Sequence, residues 1–160
     1  MARILIVGYG NPLRSDDGLG WRAAEELSQS LSLPETEVEV IVRHQLTPEL
    51  ADNVSHADAV FFIDATQTGR PGELTSEDVT AQPSALQPQT MPSHQCSPAG
   101  ILALAQQVYG ATPRAFAVTL CGECFDHGAA LSATVEAGLP KLIALVEKLA
   151  RQETVRPRGR

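Results

Sequence analysis

The sequence lacks the features that define several large classes of protein. It has three cysteines, an odd number without the spacing of a disulfide framework, which is typical of a reducing compartment. Its apolar runs are far shorter than the roughly 20 residues that a membrane-spanning helix needs. The run Ile4–Val7 near the N-terminus is also too short for the apolar region of a secretory signal. We therefore expect a cytoplasmic protein with no membrane partner.

Aromatic residues and positive charge are also scarce. Aromatic residues make up 4% of the 160-residue chain, so a single domain of this size must have a mainly aliphatic core. The net charge is −7, and this acidic excess argues against a nucleic-acid partner. Four arginines and one glutamate lie in the last ten residues. We expect one domain over residues 1–150 and a basic, disordered tail over residues 151–160.

Short apolar runs rich in β-branched residues predict buried strands. Such runs alternate with helical patterns, and this order is typical of an α/β domain with a parallel sheet covered on both faces. A weakly alternating segment, Glu73–Val79, predicts a short edge strand. The four buried strands are expected at Arg3–Val7, Val38–Val42, Ala59–Ile63 and Ala115–Leu120.

Capping signals and apolar spacing predict the helices. Apolar residues at helical spacing predict a helix over Leu19–Leu31. A hydroxyl residue followed by proline predicts that helices begin at Thr47-Pro48 and at Ser97-Pro98. The last helix is expected to begin near Ser132 and to run to about Ala150, with a kink or interruption near Gly138 and Pro140. Residues 81–98, with four prolines and no periodicity, predict a long loop.

A glycine-rich turn with two carboxylates follows the first strand. Residues 8–20 read GYGNPLRSDDGLG, and a turn of this kind at the end of a strand is where α/β proteins build sites. The dinucleotide fingerprint is incomplete, because Leu13 occupies the third glycine position and no acid follows the second strand. Asp16 and Asp17 would repel phosphate. The turn therefore favours a cation, and a metal ion is the first candidate.

Two further residues complete a candidate site. Asp64 ends the third strand, so it lies at the same carboxyl edge of a parallel sheet as Asp17. His94 lies in the long loop, and two carboxylates with one imidazole leave coordination positions open for water or substrate. The alternative is structural: Asp17 caps a helix, Asp64 caps a turn and His94 is an exposed polar residue.

Other chemical motifs have less support. Residues 121–124 read CGEC, but no second close pair is present for a zinc site, and a redox dithiol normally precedes a helix. We expect no chemistry from Cys121 and Cys124. His44, Asp126 and His127 leave strands at the same edge and are further candidates for lining the crevice. The chain has no nucleophile elbow for a serine enzyme.

These residues resemble a known family. The pattern GxGNxLxxDDGxG at residues 8–20 resembles the N-terminal signature of the nickel–iron (NiFe) hydrogenase maturation endopeptidases. The segment around Asp64 resembles the second acidic site of that family, and Ser93-His94-Gln95 resembles its histidine site. The similarity covers the chain except the basic tail. Residues 44–50, HQLTPEL, resemble the branch that matures soluble, cofactor-reducing hydrogenases.

The resemblance implies a fold and an activity. The fold is a single three-layer α/β domain, a twisted, mainly parallel five-stranded sheet with helices on both faces. The activity is one cut that removes the C-terminal extension of the nickel-loaded hydrogenase large-subunit precursor, with the nickel as recognition signal. Asp17, Asp64 and His94 would contact that nickel and form the catalytic site. Many relatives have glutamate where this chain has Asp17, which is one methylene shorter.

The resemblance also implies what accompanies the enzyme. No tightly bound cofactor is expected, since the substrate supplies the nickel, and the protein is expected to be a monomer. Two alternatives remain open at the level of sequence. The protein could be a checkpoint that binds the nickel-loaded precursor without cutting it, or a protease for another metalloprotein precursor.

Overall fold

A five-stranded sheet forms the centre of the molecule. In the computed structural model, which describes residues 1–82 and 96–155, the strand order is β2-β1-β3-β5-β4. The first four strands in this order are parallel, and β4 pairs antiparallel with β5 at the edge. The strands are β1 (Ala2–Tyr9), β2 (Thr36–Arg43), β3 (Ala59–Thr66), β4 (Leu74–Asp78) and β5 (Arg114–Cys121). All five predicted strands are confirmed, including the short edge strand.

Helices cover both faces of the sheet. One apolar cluster joins α1 and α4 to one face, and a second joins α2 and α3 to the other. In the first cluster Phe61 and Phe116 stack on neighbouring strands with ring centroids 4.9 Å apart. This arrangement confirms the three-layer α/β domain. The helices are α1 (Leu19–Ser30), α2 (Leu50–Ser55), α3 (Pro98–Tyr109) and α4 (Ala133–Thr154).

Helix starts were predicted correctly at two of the three capping signals. The Ser97 side chain accepts a hydrogen bond from the Gly100 N–H at 3.1 Å, so α3 begins as expected. The start at Thr47 is wrong: α2 begins at Leu50, and Pro48 and Glu49 form a turn before it. A 3-10 helix at Ser15–Gly18, directly before α1, was not predicted at all.

The last helix is longer than predicted and is not interrupted. The Ser132 side chain accepts from the Val135 N–H at 3.3 Å, which confirms the predicted cap. The expected interruption is wrong, since α4 continues through Pro140 and ends at Thr154. Residues 151–154 therefore belong to the helix rather than to a tail, and residues 156–160 lie outside the described residues. Within residues 1–82 and 96–155, no helix is both long and apolar enough to cross a bilayer.

The chain changes direction between β1 and β3. From β1 it crosses to β2 at one edge, then returns over β1 to β3. The loops that follow the carboxyl ends of β1 and β3 therefore run in opposite directions, and a crevice lies between them at this edge of the sheet. The predicted site residues Asp17 and Asp64 flank this crevice.

Candidate functional site

Glycines bring the acidic turn close to the ends of two strands. A Cβ on Gly20 would lie 2.6 Å from the carbonyl oxygen of Ile63 and 2.6 Å from the backbone nitrogen of Tyr9. A Cβ on Gly8 would overlap the Gly20 carbonyl oxygen. The start of α1 thus rests directly on β1 and β3, which places the turn over the crevice.

The turn also contains backbone strain at its centre. Ser15 has φ 50°, a left-handed conformation that non-glycine residues rarely adopt. Two hydrogen bonds hold it there: its N–H donates to the Gly128 carbonyl at 2.8 Å, and its hydroxyl donates to the Asp126 carbonyl at 2.8 Å. The loop after β5 therefore fixes the conformation of the residue that precedes the two aspartates.

Asp16 is a structural residue. It is completely buried, and its carboxylate accepts from the N–H groups of Glu123 (2.7 Å), Cys124 (2.9 Å) and Ser132 (2.7 Å). The Ser132 hydroxyl adds a fourth hydrogen bond at 2.9 Å. Burial opposes the charged form, but these hydrogen bonds outweigh it and lower the pKa of Asp16 below its ordinary value. Asp16 thus supports the site and is not free to bind a metal.

Asp17 is held differently and remains available. Its Oδ2 accepts the Asn11 N–H at 2.8 Å, the one hydrogen bond found for this carboxylate in the described part of the chain. The side chain is partly exposed. Gly10, with φ 132°, lies so close that a Cβ there would be 3.3 Å from Asp17 Oδ1. The turn therefore orients this carboxylate without consuming its second oxygen.

Asp64 lies beside Asp17 at the end of β3. Burial, together with the nearby negative charge of Asp17, raises the pKa of Asp64 to about 7. The Ala65 N–H donates to its Oδ1 at 2.8 Å and opposes this shift. No basic side chain pairs with either carboxylate among residues 1–82 and 96–155. Two adjacent acids without a counter-ion are a site that a cation would stabilise.

Two polar residues next to Asp64 were missed by the sequence analysis. Gly8 pairs with Ile63, so Tyr9 and Asp64 are next to each other on neighbouring strands. Thr119 of β5 pairs with Asp64 on the other side. The period-2 alternation of strands could have identified both residues, because Tyr9, Asp64 and Thr119 continue one face of the sheet.

His94 lies outside the described residues, so its predicted role stays a prediction. The chain leaves the described region after Gln82, whose N–H donates to the Ala99 carbonyl at 3.2 Å. It re-enters at Cys96, whose N–H donates to the Leu46 carbonyl at 3.1 Å, beyond the end of β2. Within residues 1–82 and 96–155, no three His, Cys, Asp or Glu side chains are grouped closely enough to hold a metal ion.

The remaining candidates make contacts of their own in the described part of the chain. His44 makes an edge contact with Trp21, with ring centroids 5.3 Å apart. Asp126 and His127 line an open depression with Arg14 and Phe125, and neither Asp17 nor Asp64 lines it.

The CGEC segment has a structural role in the part of the chain described. Cys121 is buried at the end of β5, and the backbone N–H of Cys124 binds Asp16. The Cys124 thiol lies 3.8 Å from Asp126 Oδ2. The motif therefore contributes its backbone to the Asp16 hydrogen bonds, and both cysteines are free thiols.

Comparison with known proteins gives a consistent set of relatives. No protein-family model matches the chain. It is 33% identical to the hydrogenase expression/formation protein HoxM of Azotobacter vinelandii over 158 residues, covering 95% of this chain and 74% of that protein. The structure is similar to the hydrogenase maturating endopeptidase HybD of E. coli (TM-score 0.73, 26% identity, 94% and 93% coverage). It is also similar to a hydrogenase 2 maturation peptidase from a Thaumarchaeota archaeon (TM-score 0.64, 27% identity, 92% and 97% coverage).

Proposed function

The chain belongs to the family of hydrogenase maturation endopeptidases, and we propose that it removes the C-terminal extension of a hydrogenase large-subunit precursor in a single cut. The enzyme is a hydrolase that cleaves a peptide bond. We propose that its substrate is the nickel-loaded precursor and that the nickel in the substrate is the recognition signal. The protein itself would then need no tightly bound cofactor.

The observation that supports this proposal is the pair formed by Asp17 and Asp64. Asp17 comes from the 3-10 helix after β1, and Asp64 comes from the C-terminal part of β3. The two carboxylates are close enough for their charges to interact, and neither has a basic partner among residues 1–82 and 96–155. Such a pair is unfavourable until a cation arrives. A substrate that carries its own metal ion supplies that cation at the moment of binding.

The proposed contacts follow from the donor types. Asp17 and Asp64 supply oxygen ligands and His94 supplies an imidazole nitrogen, a set that suits a divalent transition metal and leaves positions open. A bound divalent metal polarises a carbonyl or lowers the pKa of water. Hydrolysis then adds a water oxygen to the scissile carbonyl carbon, breaks the C–N bond and leaves a proton on the departing amine nitrogen.

We further propose that the protein acts in the cytoplasm as a monomer, on a protein substrate rather than on nucleic acid or a membrane. The reducing environment suits its three free cysteines. The acidic composition, −7 overall, is unfavourable for binding polyanions.

Processing of a purified nickel-loaded precursor tests the proposal. Asp17→Asn and Asp64→Asn should each reduce processing at least about 100-fold, because a neutral amide is a poor metal ligand and removes the charge of the site. Asp78→Asn is the matched control, since Asp78 is an exposed aspartate of the edge strand β4. Mass spectrometry of the large subunit measures the product.

Three results would contradict the proposal. Normal processing by both site variants would exclude the carboxylate pair from the reaction. Stable binding of the precursor by the wild-type protein, without any lighter large subunit, would favour a binding checkpoint. If only a different metal-loaded precursor is shortened, the protein is a protease for that other substrate.

A further inference from the structure

Tyr9 lies beside Asp64 on the same face of the sheet. Residues alternate between the two faces of a strand, and both Val7 of β1 and Phe62 of β3 belong to the apolar cluster on the α2–α3 face. Tyr9 and Asp64, each two residues further on, therefore share that face. The pairing of Gly8 with Ile63 places the two side chains next to each other at the carboxyl ends of their strands.

The Tyr9 side chain lies at the boundary between the apolar core and the crevice. It packs against the apolar cluster on the α2–α3 face, yet the residue keeps partial exposure. Its strand is fixed on both sides by parallel pairing, with Tyr9 opposite Arg43 of β2. The position of the phenol is thus set by packing.

The hydroxyl of Tyr9 has no partner within residues 1–82 and 96–155. The other polar neighbour of Asp64 is already engaged, because the Thr119 hydroxyl lies 2.9 Å from the Thr75 hydroxyl. Among the described residues, the one buried side-chain polar atom without a hydrogen-bond partner is Thr47 Oγ1. The Tyr9 hydroxyl is therefore not an unsatisfied donor of the core, and it can accept or donate a hydrogen bond to a ligand in the crevice. The phenol carries its proton at neutral pH and can donate it in a hydrogen bond.

We propose that the Tyr9 hydroxyl donates a hydrogen bond to a backbone carbonyl oxygen of the precursor's C-terminal segment where that segment passes Asp64. This inference rests on the proposed function and names a substrate-binding residue for it. A peptide is the appropriate acceptor, since each of its residues presents a carbonyl oxygen and the neighbouring carboxylates would repel an anionic ligand. Packing of the ring keeps the donor in place before the substrate arrives, which reduces the entropy lost on binding.

Tyr9→Phe tests the inference because it removes only the hydroxyl. If a hydrogen bond is equally strong in the bound substrate and in the transition state, its loss raises KM and leaves kcat unchanged. We expect KM for the nickel-loaded precursor to rise roughly tenfold, the effect of about 1.4 kcal/mol, with kcat within about twofold of wild type. Tyr109→Phe is the matched control, since Tyr109 is the other tyrosine and lies half-exposed at the end of α3.

The outcomes separate this inference from the proposed function. If the wild type and Tyr109→Phe both process the precursor and Tyr9→Phe has an unchanged KM, Tyr9 does not bind substrate and the proposed function stands. A fall in kcat at constant KM would also overturn the binding role. If neither the wild type nor Tyr109→Phe cleaves the precursor, the proposed function itself fails. If the wild type, Tyr9→Phe and Tyr109→Phe have equal urea midpoints, a change in KM is caused by the loss of the hydroxyl and not by a loss of stability.

Discussion

Two adjacent aspartates, Asp16 and Asp17, differ in burial and in the number of hydrogen bonds that they accept. Asp16 is completely buried and accepts four hydrogen bonds from residues more than a hundred positions away. Asp17, one residue later, accepts one and stays partly exposed. Adjacent residues in a 3-10 helix point in different directions, so one carboxylate can face the interior and the other the crevice. The first stabilises the fold, and the second is available for chemistry.

The charge of Asp64 reduces the stability of the fold. Burial and the charge of Asp17 raise its pKa from the ordinary 3.8 to about 7, so the folded state binds a proton more tightly than the unfolded chain does. Among the described residues, Tyr9 and the Ala65 N–H also interact with this carboxyl. The contribution of Asp64 to stability is therefore greatest below about pH 4 and is lost as the pH rises towards about 7.

Asp64→Asn should therefore stabilise the protein in a pH-dependent way. At pH 8 the free energy of unfolding should rise by a few kcal/mol at most, on the scale of about 1.4 kcal/mol per pKa unit. At pH 3.5 the gain should be small, since the Asp64 carboxyl of the wild type is then mostly protonated and, like the amide of the variant, carries no charge. Urea denaturation of the wild type and the variant at the two pH values measures the difference in the free energy of unfolding. A loss of stability at pH 8 would show that the Asp64 charge is satisfied in the native state.

At the scale of elements, equal capping signals led to unequal results. Ser97-Pro98 and Thr47-Pro48 share the same pattern, but only Ser97 caps its helix with a side-chain hydrogen bond. Six residues form α2 and twelve form α3, so a shorter apolar face fixes the start of α2 less strongly. Capping signals therefore predict a helix start well only where the following segment can bury a long face.

Pro140 lies inside α4 at a cost that packing outweighs. It removes a backbone N–H that would bond the Glu136 carbonyl, and its ring crowds that same carbonyl. The helix continues because both ends are anchored: Ser132 caps the start, and Val146 and Ala150 are buried against the sheet. The local rule that predicted an interruption is overridden by tertiary contacts.

Pro140→Ala should stabilise the protein by about 1–3 kcal/mol, since the change restores the hydrogen bond at an exposed position. Urea denaturation at pH 7 gives the change. Pro98→Ala is the control, because proline at the first position of a helix loses no hydrogen bond and should change stability little. Equal effects of both substitutions would contradict this account of α4.

At the scale of the whole molecule, one carboxylate joins two loops from different strands. Asp16 belongs to the turn after β1, and its four donors belong to the loop between β5 and α4. The same two loops are joined by the Ser15 hydrogen bonds to Asp126 and Gly128. These contacts fix the turn that contains Asp17 against the rest of the carboxyl edge.

Asp16→Asn should destabilise the protein by about 2–4 kcal/mol, because an amide NH2 would face donors that now bind a carboxylate oxygen. The lowered pKa of Asp16 means that its contribution is present above about pH 4 and is lost as the pH falls further. Thermal unfolding at pH 7 measures the loss. Asp17→Asn is the control and should not destabilise the protein, since the amide oxygen can still accept the Asn11 N–H and the change removes the repulsion between Asp17 and Asp64. A stable Asp16→Asn protein would show that the four hydrogen bonds are not essential.

The placement of the candidate residues was predicted in part, and their role in catalysis stays a prediction. Asp17 and Asp64 were selected because acids that follow buried strands are unusual, and strand order places both at one edge of the sheet. Their juxtaposition could be expected, but the raised pKa of Asp64 could not, since it depends on burial and on the distance to Asp17. Tyr9 was missed because it follows the apolar run of β1, where a large aromatic residue is expected to pack in the core and gives no sign of a functional role. His94 stays a prediction.

The sequence by itself determined the strands, the parallel topology, the acidic turn and the family resemblance, because these depend on local patterns along the chain. Only the tertiary structure decided which groups bind the Asp16 carboxylate, where α2 begins, and that α4 continues through Pro140. Each of those outcomes depends on partners far away in sequence, such as Ser132 for Asp16. Burial and long-range hydrogen bonds, rather than residue type, separate the two adjacent carboxylates into a structural group and a group available to substrate.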